Sequence, residues 1–219
     1  MRLFRKLVFG SLTLAGVLGL LALPATTRQG VDYRVTEKRI PLLIKGADFL
    51  VRSYEYRQLA AEQTRGLSDD EAIAEALMRW TREQIRPVPP DWPVVDDHIS
   101  HILIRGYGTV DQRADVFTTL ATYAGVPAFW RGMRDGPKPG HWIVSFVKIR
   151  GRWTAWDIVS GTAFRDGAGN LMSVEQLGWD RFSPPEILRP EKQMPLRRIL
   201  YELRKAGKKL LGRPVNPDE

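Results

Sequence analysis

No cysteine occurs anywhere in the 219 residues. That absence excludes disulfides, thiolate metal sites and thiol nucleophiles together, so stability must come from a packed core. Histidine is scarce as well, with His98, His101 and His141 the full complement of three. No charged residue falls between Leu7 and Ala25, no internal repeat is present, and the glycines of residues 160–170 lack the spacing of a phosphate-cradling loop. No cofactor-binding pattern is found, and none is expected to be needed.

What is present describes one substantial folded unit. With 43% hydrophobic and 26% charged residues, the body of the chain has an ordinary globular composition rather than a disordered one. Arg2, Arg5 and Lys6 precede the uncharged stretch 7–25, which reads as an N-terminal transmembrane or signal segment with everything after Thr26 carried outward. The localisation expected is the cytoplasmic (inner) membrane with the domain facing the periplasm or exterior. Secretion to the periplasm after cleavage is the alternative. The boundaries read as a membrane anchor or signal over 1–25, a linker and helical segment over 26–66, a domain over 67–190 and a basic amphipathic tail over 191–219.

Much of the formal charge of +8 is concentrated between Met194 and Arg213 in that tail, where Arg197, Arg198, Arg204, Lys205, Lys208, Lys209 and Arg213 face Glu202 alone. Leu196, Ile199, Leu200, Leu203, Leu210 and Leu211 supply an apolar stripe on the same predicted helix, a pattern suited to docking on the domain or on an anionic membrane surface. Export argues against nucleic acid as the partner of this charge; the inner membrane and envelope proteins are the expected partners.

Periodicity predicts a helix over 42–61, with Leu43, Ala47, Leu50, Val51, Tyr54 and Leu59 recurring at helical spacing. A second begins at the capping box of Ser68 and Glu71 and ends before Pro87, followed by an extended Pro-rich loop to Pro93. A third runs from a Thr109–Gln112 capping box to Gly125, burying Ala114, Phe117, Leu120, Ala121 and Ala124. The period then falls toward two, giving strands over 126–133, 141–149 and 153–159 with a turn at Arg150-Gly151. The middle strand is apolar on both faces, so helices cover one side and other structure the other. A short helix over 173–177 follows. The fold class is α+β, an antiparallel sheet packed on a central helix.

The stretch from Gly106 to Trp130, with its Val110-Asp111-Gln112, its Gly125-Val126-Pro127-Ala128 exit, His141-Trp142 and Trp156-Asp157 downstream, resembles the transglutaminase-like superfamily over residues 68–160. In that family this helix opens on a nucleophilic cysteine, and Val110 stands in its place. The resemblance implies that His141 is the histidine and Asp157 the carboxylate of a remnant triad, with Val110 unable to attack because it has neither a lone pair nor a transferable proton. The function expected is a catalytically inactive domain of the cell envelope that binds or scaffolds a peptide or glycan, with Trp130, Trp142, Trp156, Asp111 and Gln112 lining the cleft. One alternative is an enzyme of altered chemistry, using Thr109 or Asp111 with His141, or a metal held by His98 and His101 beside Asp96 and Asp97. Another is a structural tether that fixes a complex to the membrane.

Overall fold

The computed structural model describes residues 2–29, 36–94, 98–133 and 142–178. The helix α5, Val110–Tyr123, lies at the centre of the fold. Its first turn is fixed by Thr109, whose hydroxyl accepts from the Gln112 amide while the Gln112 side chain accepts from the Thr109 amide at 3.1 Å. Gly125 ends it at φ 94°, a left-handed position that lets the chain turn into the sheet. Ala114, Phe117, Leu120 and Ala121 are buried as the pattern predicts. Gln112, Arg113, Val116 and Thr118 are buried too, because α5 is packed on nearly every side, by helices α2 (Leu42–Gln63), α3 (Asp70–Gln84) and α4 (Ile99–Arg105) and by strands β5 (Ala128–Met133) and β6 (Trp142–Ile149). The Thr118 hydroxyl is satisfied there by donating to the Ala114 carbonyl at 2.9 Å.

The antiparallel sheet has the order β5 (Ala128–Met133), β6 (Trp142–Ile149), β7 (Arg152–Asp157) and β8 (Thr162–Ala163). Phe129 pairs with Phe146, and Ser145 with Trp156. Arg150 at φ 49° and Gly151 at φ 82° make the two-residue turn between β6 and β7, the conformation that suits the right-handed twist of a hairpin. Both faces of β6 are used. Val147 and Ile149 join Leu77, Phe117, Trp156 and Ile158 in the core beneath the helices, while Val144 and Phe146 pack with Phe129, Ala155 and Val174 on the other side. The cover on that second side is the segment 164–177, not a helix. The helix expected over 173–177 is a single turn, closed by Leu177 donating to the Ser173 carbonyl at 3.1 Å and stopped by Gly178 at φ 71°.

Helix α3, Asp70–Gln84, is capped by Asp69 rather than Ser68. The Asp69 carboxylate accepts from the Ala72 amide at 3.2 Å, so the box expected of Ser68 and Glu71 is displaced by one residue, and a charged acceptor at the positive helix end takes the cap. A short helix α4, Ile99–Arg105, and a two-residue parallel ladder between β3 (Arg86–Pro87) and β4 (Tyr107–Gly108) connect α3 to α5.

Toward the N-terminus, α1 (Arg2–Ala22) leads into β1 (Pro24–Gln29), which pairs antiparallel with β2 (Thr36–Pro41) where a linker was expected. No helix among the described residues is long and apolar enough to cross a membrane. Helix α2, Leu42–Gln63, forms where predicted, but its buried residues are Ser53, Tyr56 and Ala60. Of the residues in the predicted pattern, Leu59 packs against the core while Leu43, Leu50, Val51 and Tyr54 are exposed and form an outward apolar stripe. Tyr56 instead meets Tyr123 edge-on at 5.6 Å and anchors α2 to α5. The predicted tail over 191–219 lies outside the described residues.

Candidate functional site

Val110 is the first residue of α5 and 37% exposed. It therefore stands at the positive end of the central helix, the position at which a thiol would be driven toward thiolate. The segment around it is held by Gln112, buried to 4% exposure, whose side-chain oxygen accepts from Thr109 and from the Arg105 guanidinium at 2.9 Å. Arg105 in turn donates to the Tyr107 carbonyl at 3.0 Å and lies over the Tyr107 ring. Gly108 suits this arrangement, because a Cβ there would come within 3.1 Å of the Gln112 side chain and press on it. The Thr109 hydroxyl is fully engaged, accepting at the helix cap and donating to the Asp111 carboxylate. Its proton is directed at Asp111, not toward a general base.

Asp157 closes β7. One carboxylate oxygen accepts from the Val159 amide at 2.8 Å and the other from the Ser160 amide at 3.2 Å, so the side chain organises the turn into β8. His141 lies outside the described residues. The three tryptophans are divided between the two faces of the sheet. Trp156 is 1% exposed, packs against Phe117 and donates its Nε1–H to the Thr154 hydroxyl at 2.8 Å. Trp130 packs on the same helix-covered core. Trp142, 40% exposed, occupies the opposite face and meets Phe164 edge-on at 5.4 Å. The structure thus places Trp130 with Trp156 and sets Trp142 apart from them.

His98 precedes α4 and His101 lies within it, with ring centroids 5.0 Å apart. The His98 Nδ1 is 2.9 Å from the Ser100 hydroxyl. Asp96 and Asp97 lie outside the described residues. Among the described residues no group of three or more His, Asp or Glu side chains is arranged to hold a metal ion.

A pocket of about 780 Å³ opens between α3 and the β7–β8 turn, lined by Arg79, Arg82, Arg113, Trp156, Val159 and Gly161 among others. Sequence reasoning missed it. The available signal was a pair of arginines three apart on α3, which share a face.

Residues 57–158 match the family described as the transglutaminase-like superfamily. Among solved structures, the chain resembles a candidate protease from Parabacteroides distasonis ATCC 8503, at 15% identity and a TM-score of 0.35 over 64% of this chain and 40% of that one. It also resembles a candidate cysteine protease from Cytophaga hutchinsonii, at 16% identity and a TM-score of 0.39 over 59% of this chain and 53% of that one. The chain thus spans less than half the length of the first and about half that of the second. Among curated proteins nothing matches it.

Proposed function

We propose that this chain, which carries the core of the transglutaminase-like superfamily over residues 57–158, is a binding component that keeps the framework of the family's site without its nucleophile. One observation carries the reading. Val110 occupies the exposed first position of a capped central helix, where the family has a cysteine, in a chain with no cysteine at all. Acyl transfer through a side chain with neither lone pair nor ionisable proton is closed. The ligand we infer is an extended peptide or glycan lying across the start of α5, where Asp111 offers a carboxylate and Val110 an apolar contact. The Thr109 hydroxyl, committed to its cap and to Asp111, argues against rerouted catalysis.

A tethering role in the envelope is the second reading. Its support is the outward apolar stripe of α2 together with exposed Leu12, Leu14, Leu18 and Leu20 of α1, which packs against α2. We place the protein at a membrane surface through these two helices, with the net charge of +8 favouring anionic lipid.

The absence of native thiols supplies the test. In Val110→Cys the introduced thiol is the sole one, and its alkylation rate against pH reports the local environment. A thiolate forming well below the ordinary value of about 8.5, with alkylation slowed by envelope peptide or glycan fragments, supports a retained and accessible binding site. An ordinary thiol indifferent to those fragments overturns the reading, as would turnover of an acyl substrate by the wild-type chain.

A further inference from the structure

We propose that the pocket between α3 and the β7–β8 turn is a binding site for a phosphate group, with Arg113 at its base and Arg79 and Arg82 on its α3 wall. It does not include Val110, although Arg113 lies one helical turn further along α5.

Arg113 is the reason to look for a ligand. It is 6% exposed, and its Nε has no hydrogen-bond acceptor. No ion pair of Arg113 is found among the described residues. A guanidinium stays charged in a protein, so burying one without a partner is costly. Burial depresses its pKa, the neighbouring Arg82 depresses it further, and Asp157 opposes the effect. Asp157 forms no ion pair with Arg113, and its two carboxylate oxygens accept instead from the Val159 and Ser160 amides. The guanidinium therefore borders the pocket with no ion-pair partner among the described residues.

Arg82 is positioned across the same space. Its guanidinium donates to the Val159 carbonyl at 3.2 Å and lies where a side chain at residue 161 would have to go, since a Cβ on Gly161 would fall 1.8 Å from the Arg82 Nη1. Gly161, at φ 75°, thus gives the arginine its place. Of the charged residues lining the pocket, Arg79, Arg82, Arg113 and Arg165 stand against Glu75 and Glu83, which leaves two positive charges. Arg165 is spent on Glu71 at 2.9 Å and Glu75 at 2.8 Å, so the arginines left for a ligand are the three named above.

A phosphate monoester matches this charge, and guanidinium forks are suited to its oxygens. Pro87, Val159 and Ala163 give an apolar wall for the organic part of the ligand, and the volume is that of a small-molecule site. Glutamates in the lining disfavour a long polyanion. The phosphate could be presented by a soluble ester or by a lipid headgroup, and the chemistry recognised is the same.

Titration calorimetry of the full chain with glycerol phosphate, alongside flotation with vesicles containing phosphatidic acid, separates these sources. Saturable binding in either assay, weakened at least about tenfold by Arg82→Ala and by Arg79→Ala, is the expected result. Arg113→Met should abolish binding while raising the melting temperature of the ligand-free protein, because an unpaired buried charge is removed. Should that variant fail to fold, the two exposed α3 arginines carry the test alone. Binding that all foldable variants retain unchanged overturns the proposal, and so does failure of the wild-type chain to bind either probe. Because Val110→Cys leaves the pocket intact, an ordinary thiol there and loss of phosphate binding here are separate failures.

Discussion

Gln112 does at one residue what much of the site depends on. Its side-chain oxygen is shared between the Thr109 amide and the Arg105 guanidinium, in a position that water does not reach. Gln112→Ala would orphan a buried donor on each side and is expected to cost about 2–3 kcal/mol in denaturant unfolding. Gln112→Glu keeps an acceptor for both, adds a charge opposite Arg105 and suits the positive helix end, so it should stay within about 1 kcal/mol of wild type. Equal losses in the two variants would show that packing, not acceptance, is what matters there. The cap itself was legible, because Thr and Gln three apart state it in the sequence. The Arg105 bond was not, since it reaches across seven residues and the αL turn at Gly106. Arg113 was hidden for a related reason: helical spacing ranks faces by hydrophobicity, and a charged residue is assigned outward unless its environment is known.

At the scale of elements, the start of α3 and the β6–β7 turn form a clamp. Asp69 caps α3 with one carboxylate oxygen and accepts from Arg150, in the hairpin turn, with the other at 3.1 Å. The Ala72 amide and then the Arg150 side chain hold its pKa below the ordinary 3.8. A carboxylate with a depressed folded pKa adds stability above its unfolded value and loses it as pH falls through the folded one. Asp69→Asn retains a capping oxygen but not the charge. Its melting temperature should therefore lie below wild type at neutral pH, and the two curves should converge as pH drops below 3.8. A gap that persists in acid would assign the difference to cap geometry rather than charge. Elements with a clean period were readable in advance: α5, and the three long strands to within two residues at each end. Those that were missed lack one. Helix α4 has seven residues, too few to show a stripe, and β1–β2 is built from PATTRQ and TEKRIP, polar strands largely facing solvent.

For the molecule as a whole, α2 is instructive, because the helix forms where predicted while most of the apolar residues that announce it face outward. Hydrophobic spacing shows that a surface is to be covered but does not say by what. Here the domain core is completed by α3, α5 and the sheet, and α2 joins it through Tyr56 and Ala60 alone among its buried apolar residues. The stripe of Leu43, Leu50, Val51 and Tyr54 is left facing outward. Two kinds of substitution separate core from covering surface. Phe117→Ala opens a cavity at the centre, where exposure is 0%, and should cost about 3–5 kcal/mol. The pair Leu50→Ser and Val51→Ser removes side chains that are already 49% and 55% exposed, and should change folding stability by no more than about 1 kcal/mol. If the stripe meets a membrane surface, that same pair lowers flotation with anionic vesicles while leaving glycerol phosphate binding at the arginine pocket untouched. A large loss of folding stability would instead return the stripe to the interior, and unchanged flotation would leave lipid association to other parts of the chain.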